Sequence, residues 1–245
     1  MSLGQGAVFG RILGAALIAG AAAGLVTWAV YTLKAVPLIL EAETYEHAQV
    51  ADGATAPAAG ARDAAVSGAE AQAFESPLDR RAMVMLIADL GLGVGFALAL
   101  IGLIVLSGRD VDFGRGLLWG LGGFAAFAAA PALGLPPELP GIESAPVLER
   151  QIWWLATALC TGSGIGLLFL ARRIGFRLAG AVIVVVPHII GAPQLVGAPR
   201  LVVEALAVPA ELAAEFAAVS LVATALFWLI LGGLGGHVYK RLEQD

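Results

Sequence analysis

Apolar positions in this chain do not alternate with polar ones. They run in long blocks separated by short polar stretches. A membrane-spanning helix needs about 20 mostly apolar residues, and six blocks come near that length: about 8–33, 82–106, 116–135, 151–171, 176–190 and 212–239. Arg11 alone interrupts the first, whose apolar part exceeds the 7–15 residues of a secretory h-region; it predicts a retained anchor helix. The second holds Asp89, and the third is rich in glycine and alanine. The fifth has about 15 residues and carries Pro187-His188 at its end, a length that suits a tilted span, a re-entrant piece or a half-helix. The pattern predicts an all-α integral membrane protein, a bundle of six transmembrane helices, with five as the alternative.

Residues 1–245 read as one membrane domain. Within it, 48–76 is mostly Ala, Gly and small polar residues without helix or strand periodicity, which predicts a flexible outer loop after the first helix. Composition strengthens the membrane reading: the chain is 59% hydrophobic and 13% charged, against about 25% charged in soluble domains, and its mean hydropathy is +0.88. No basic block points to nucleic acid. The single cysteine, Cys160, excludes an internal disulfide.

Charge placement sets the topology. With both termini in the cytoplasm, Arg11, Arg109, Arg115, Arg172, Arg173, Arg177, Lys240 and Arg241 all lie inside, most of them in short loops. The remaining basic residues are spread over longer outer loops, as the positive-inside rule requires. Most of the 19 carboxylates fall on the outer side, and an acidic face attracts cations. Glycines spaced four apart, Gly91/Gly95, Gly116/Gly120 and Gly162/Gly166, are expected to let helix backbones approach closely.

The candidate chemistry begins where the first block ends, in PLILEAETYEH (37–47). If helix continues past Pro37, then Glu43, Glu46 and His47 share a face at i, i+3, i+4. Two carboxylates and an imidazole on one face suit a divalent transition metal; the same spacing also describes a solvated charged turn. Asp89 lies inside a span, where a carboxylate costs on the order of 3 kcal/mol on insertion scales. It faces the bundle, a wet cavity or the interface. Glu138 sits on the proline-rich turn PPELPG (136–141), stiffened by its prolines. His188, beside Pro187 and before Pro193, is placed where the prolines break the helix, as a ligand, proton carrier or structural residue. Glu211 and Glu215 open the last helix, where the dipole favours acids. His237 reads as an interface residue.

These stretches resemble a known family. PLILEAETYE, GRGLLWGLGGFAAFAAAPALGLPPELPG, RQIWWLAT, PHIIGAPQ and VPAELAAEFAAVSLVATALFWLILG occur in this order and are similar to the CbtA family of predicted cobalt transporter subunits. The resemblance covers nearly all the chain except the Ala-rich loop. It implies a bacterial inner-membrane protein of five or six spans, tied to cobalt uptake and cobalamin biosynthesis. It also implies a partner, CbtB, a small one-span protein with a histidine-rich end. By motif, Glu41, Glu43, Glu46, Glu138, His188 and Glu211 carry over as metal residues. Relatives carry several histidines in the first outer loop; here it has His47 alone. Either CbtB supplies the imidazoles, or the bundle carboxylates and His188 hold the metal.

The first reading is therefore a subunit that takes up Co2+ or a similar divalent metal as cargo, with no permanently bound cofactor. Glu41, Glu43, Glu46 and His47 collect the ion, Glu138, His188 and Glu211 pass it inward, and Asp89 sits on the path. No G-x-x-x-x-G-K-[ST] loop occurs, so this chain is expected not to use ATP by itself. A non-transporting scaffold that binds a partner subunit is the alternative. No H-E-x-x-H or G-x-S-x-G motif supports an intramembrane enzyme.

Overall fold

The computed structural model describes residues 3–53, 80–140, 142, 144–194 and 208–244, and each of the six apolar blocks is helical. In chain order the elements are α1 (Leu3–Val30), a π-helical turn (Tyr31–Ala35), α2 (Val36–Gly53), α3 (Arg80–Leu106) and α4 (Phe113–Phe124). A second π-helical turn (Ala125–Ala129), α5 (Ala130–Ala132), α6 (Val147–Leu170), α7 (Ile174–Ile190) and α8 (Ala210–Gln244) complete them. Four stretches are long and apolar enough to cross a membrane: Gly6–Tyr45, Ala82–Leu106, Val147–Leu170 and Ala210–Gln244. The helix from α4 through α5 spans about 30 Å and α7 about 25 Å at 1.5 Å per residue. The protein is an all-α, multi-pass membrane protein.

Four helix pairs organise the bundle, α1–α3, α1–α8, α4–α8 and α6–α7, and all but α1–α8 close backbone to backbone at glycine. In the α1–α3 pair, a Cβ on Gly93 would fall on the carbonyl of Gly20, and one on Gly24 on the carbonyl of Asp89. In the α4–α8 pair, Gly116 and Gly232 block each other's Cβ positions, and a Cβ on Gly120 would strike the carbonyl of Trp228. In the α6–α7 pair, a Cβ on Gly164 would lie 2.7 Å from the Gly180 carbonyl oxygen, and one on Gly180 would lie 2.6 Å from that of Gly164. Without a hydrophobic force between helices in lipid, such close approach maximises dispersion contact.

The sequence expectation holds for Gly116 and Gly120 only. Gly91, Gly95 and Gly166 meet nothing within 4 Å, and Gly162 makes an ordinary 3.7 Å contact with Ala126. The contacting residues are Gly93 and Gly164, two positions along. A step of two residues turns roughly 200° around a helix, so the spacing picked the wrong face on α3 and α6.

The pairs join at an aromatic centre. Phe127 stacks on Trp228 at 5.3 Å and meets Phe96 edge-on at 5.6 Å. Gly123 leaves room for the Trp228 ring.

Both π-helical turns have one cause. Each is followed by a single residue and then a proline: Tyr31–Ala35 by Val36 and Pro37, Ala125–Ala129 by Ala130 and Pro131. Proline lacks an N–H and clashes with the carbonyl four residues back. The wider turn lets Val36 N–H bond to Tyr31 O and Ala130 N–H to Ala125 O, and the helix passes the proline unbroken. Helix thus continues past Pro37 to Gly53. Residues 48–53 are helical where a flexible loop was expected, and the rest of that loop, 54–76, lies outside the described residues. Pro187 also fails to break its helix. α7 runs through it to Ile190 and stops at Gly191, whose φ of 84° ends the helix.

At the other end of the bundle Asp112 caps α4. Its Oδ1 accepts from the Arg115 N–H at 2.8 Å. That backbone hydrogen bond, aided by the charges of Arg115 and Lys240, holds the carboxyl below its ordinary value of 3.8.

Two predictions concern stability in detergent. Gly120→Ala lowers stability by about 1–3 kcal/mol through overpacking, whereas Gly95→Ala is neutral or raises it by up to about 1 kcal/mol; thermal unfolding of the two variants checks the contrast. A carboxyl lowered in the folded state stabilises the fold above its ordinary pKa, and that contribution fades as pH falls through the lowered value. Asp112→Asn keeps the cap and flattens the dependence of the unfolding midpoint on pH below about 4; a midpoint that falls as steeply as in the parent would contradict this.

Candidate functional site

The acidic segments meet around one apolar cluster. Leu38 and Ala42 of α2, Leu139 of the proline-rich turn, and Val208, Leu212 and Phe216 at the start of α8 are buried against each other. Leu139, 3% exposed, pins the turn that carries Glu138. The backbone segments bearing Glu41, Glu43, Glu138 and Glu211 are thereby drawn to one end of the bundle.

Beside this cluster lies a cavity of about 990 Å3. Its walls come from α2, both π-helical turns, the turn after α5, and the first halves of α6 and α8. The prolines therefore shape the cavity directly: Tyr31 comes from one π turn and Phe127 from the other. The walls are largely apolar and aromatic, and Phe127 packs against Trp154 at 6.0 Å between ring centres.

The polar lining is sparse and placed. Glu138 stands at the cavity with Arg150, whose Nη2 donates to Glu138 Oε2 at 2.6 Å. The Ser144 hydroxyl donates to the same oxygen at 2.7 Å. The two charged side chains are 27% and 29% exposed, so their attraction is less screened than at an open surface. Tyr31, Gln151, Trp154, Ser220 and Thr224 also line the cavity. The Ser220 hydroxyl is buried and without a partner among the described residues, while Thr224 donates to the Ser220 carbonyl at 2.8 Å. A buried hydroxyl with no partner costs free energy; Thr27, Thr157 and Thr161 share this state elsewhere in the bundle.

Of the residues predicted from sequence, Glu138 lines the cavity. Glu43 is half-buried and Glu41 and Glu211 are exposed; none of the three lines it. Position 47 remains helical, but the side chains of Glu46 and His47 lie outside the described residues. His188 is half-buried, with its ring edge-on to Trp153 at 6.1 Å. The Trp153 indole N–H donates to the Pro187 carbonyl at 3.3 Å. Trp153 and Ala192 both crowd Gly134, so His188 belongs to the same end of the bundle as Glu138. Asp89 is half-buried on α3, its backbone carbonyl against Gly24 of α1, away from the cavity wall. Among the described residues no three His, Cys, Asp or Glu side chains stand together as a ready-made metal site.

Sequence reasoning missed Arg150, Ser144, Ser220 and Thr224. Arg150 was counted only as an outer positive charge. Ser220 and Thr224 left a readable signal, two hydroxyls at i, i+4 on an apolar helix.

At the opposite end, Asp112, His237, Lys240 and Arg241 border a smaller cavity of about 400 Å3. The bundle is thus acidic at the end that holds Glu138 and basic where α8 finishes.

Comparison with known proteins gives one finding. Residues 9–240 match the family described as "Probable cobalt transporter subunit (CbtA)". No curated protein and no solved structure matches the chain. The match covers nearly the whole chain, and the protein belongs to the CbtA family.

Proposed function

We propose that this CbtA-family chain takes up Co2+ or a similar divalent transition metal through the cavity beside Glu138. The observation that carries the reading is Glu138 itself: a half-buried carboxylate, on a pinned turn at the acidic end, lining a largely apolar cavity. Glu41, Glu43, Glu46 and His47 gather the ion in front of the bundle. Glu138, with Glu211 and His188 at the same end, passes it inward. Asp89 is assigned to the path by its place inside a span. The family description is that of a transporter subunit, which suggests a protein that moves its cargo rather than converting it.

The acidic end faces outward and the basic end, with both termini, faces the cytoplasm of a bacterial inner membrane. Inward movement of a cation then follows the membrane potential, worth about 2.3 kcal/mol per charge per 100 mV. A subunit implies a partner. The one-span, histidine-rich CbtB fits, because it would supply the imidazoles that the first outer loop lacks. The metal would feed cobalamin biosynthesis. Cobalt is favoured over other divalent ions by family membership, since the donor types alone rank metals by general affinity.

The alternative, a non-transporting partner-binding subunit, has one observation in its favour: no three donors are assembled among the described residues.

Radiolabelled Co2+ uptake into cells separates the two, with and without CbtB, at matched membrane abundance. Glu138→Ala is expected to lower uptake at least about tenfold, a loss typical of removing one charged ligand, with smaller losses for Glu43→Ala, Glu211→Ala and His188→Ala. Uptake equal to empty vector, or indifferent to all four changes, would favour the scaffold.

A further inference from the structure

We propose that Arg150 is a built-in competitor for the cation at Glu138, and that this competition selects divalent over monovalent ions. The proposal rests on the reading of Glu138 given above and assigns its neighbour a role in specificity.

The geometry supplies the argument. Arg150 Nη2 and the Ser144 hydroxyl converge on Oε2 of Glu138, at 2.6 and 2.7 Å. Oε1 has no partner among the described residues. Both charged side chains line the same cavity. A cation at this carboxylate would share it with a guanidinium that carries charge at every physiological pH. Two cations on one half-buried carboxylate repel strongly, so the arriving ion must displace Arg150.

Displacement depends on charge. A monovalent ion replaces one positive charge by another and loses the hydrogen bond that Arg150 made, so it gains nothing. A divalent ion doubles the attraction and can offset that loss. Two features make Arg150, rather than Glu138, the group that moves. Glu138 is fixed between Pro137 and the buried Leu139, whereas arginine has a long flexible stem. Arg150 also stands in the first turn of α6, where the helix dipole disfavours a cation. When no metal is present, the guanidinium keeps the carboxylate neutralised inside the bundle, where an unpaired charge is costly.

The test is equilibrium Co2+ binding by the full chain in lipid nanodiscs, with K+ titrated as competitor. Arg150→Gln is expected to bind Co2+ about tenfold more tightly, and K+, ineffective against the parent, becomes a measurable competitor. Arg150→Lys keeps the competing charge on a shorter side chain; it binds Co2+ at most about threefold more tightly than the parent and remains insensitive to K+. Glu138→Gln weakens binding in either background. An affinity unchanged or reduced in both Arg150 variants, while Glu138→Gln still weakens binding, overturns the competitor role and leaves Arg150 as a clamp on the turn. Binding indifferent to Glu138→Gln, or undetectable in every variant, defeats the reading of the site and this inference with it.

Discussion

The structure depends on helix backbones touching where side chains have been removed. Three pairs, α1–α3, α4–α8 and α6–α7, each close at a glycine that faces the partner's carbonyl. In lipid, apolar side chains gain little by leaving their surroundings, so contact distance and packing density decide which helices associate. Gly93, Gly116, Gly120, Gly164, Gly180 and Gly232 therefore fix the spacing of these three pairs. The aromatic residues at the junction, Phe96, Phe127 and Trp228, fill the volume that these close crossings leave between pairs.

The site follows from a second constraint, two prolines inside long helices. Each is preceded by a π-helical turn that removes the clash and opens the local wall. Because Tyr31 and Phe127 come from those turns and both line the cavity, the irregularity that rescues the helices also shapes the space beside Glu138. Charge is then placed sparingly. One carboxylate, neutralised by one guanidinium, faces an otherwise largely apolar chamber that carries a few hydroxyl and amide groups.

Much of this was legible in the sequence, and the rest was hidden for definable reasons. Block length revealed the helices, because lipid demands unbroken apolar runs. The bias in charge placement was read as an acidic outer face, and that orientation belongs to the proposed function. The proline effects were misjudged at Pro187: a proline forfeits one helical hydrogen bond, yet α7 runs through it to Ile190 and closes with the Gly191 N–H on the Pro187 carbonyl. The glycine faces were misassigned on α3 and α6, because spacing alone does not tell which side of a helix meets its neighbour. Arg150 was overlooked as a partner of Glu138 because the two are 12 residues apart, across a turn whose path no local pattern reveals. Donors that were expected to converge, such as Glu41 and Glu211, come to the same end of the bundle yet are exposed rather than part of the cavity wall.

The central claim is that the cavity beside Glu138 is the water-accessible route of the ion. Thiol accessibility tests it most directly. Thr224→Cys, in a Cys160→Ala background, lines the cavity, whereas Val222→Cys, on the same helix, stands at an exposed position outside the cavity wall. The account predicts that a small, charged, membrane-impermeant thiol reagent applied from outside labels position 224, leaves 222 unlabelled, and stops Co2+ uptake only in the first case. A cysteine at 224 that stays unlabelled, or that is labelled while uptake continues unchanged, would contradict it.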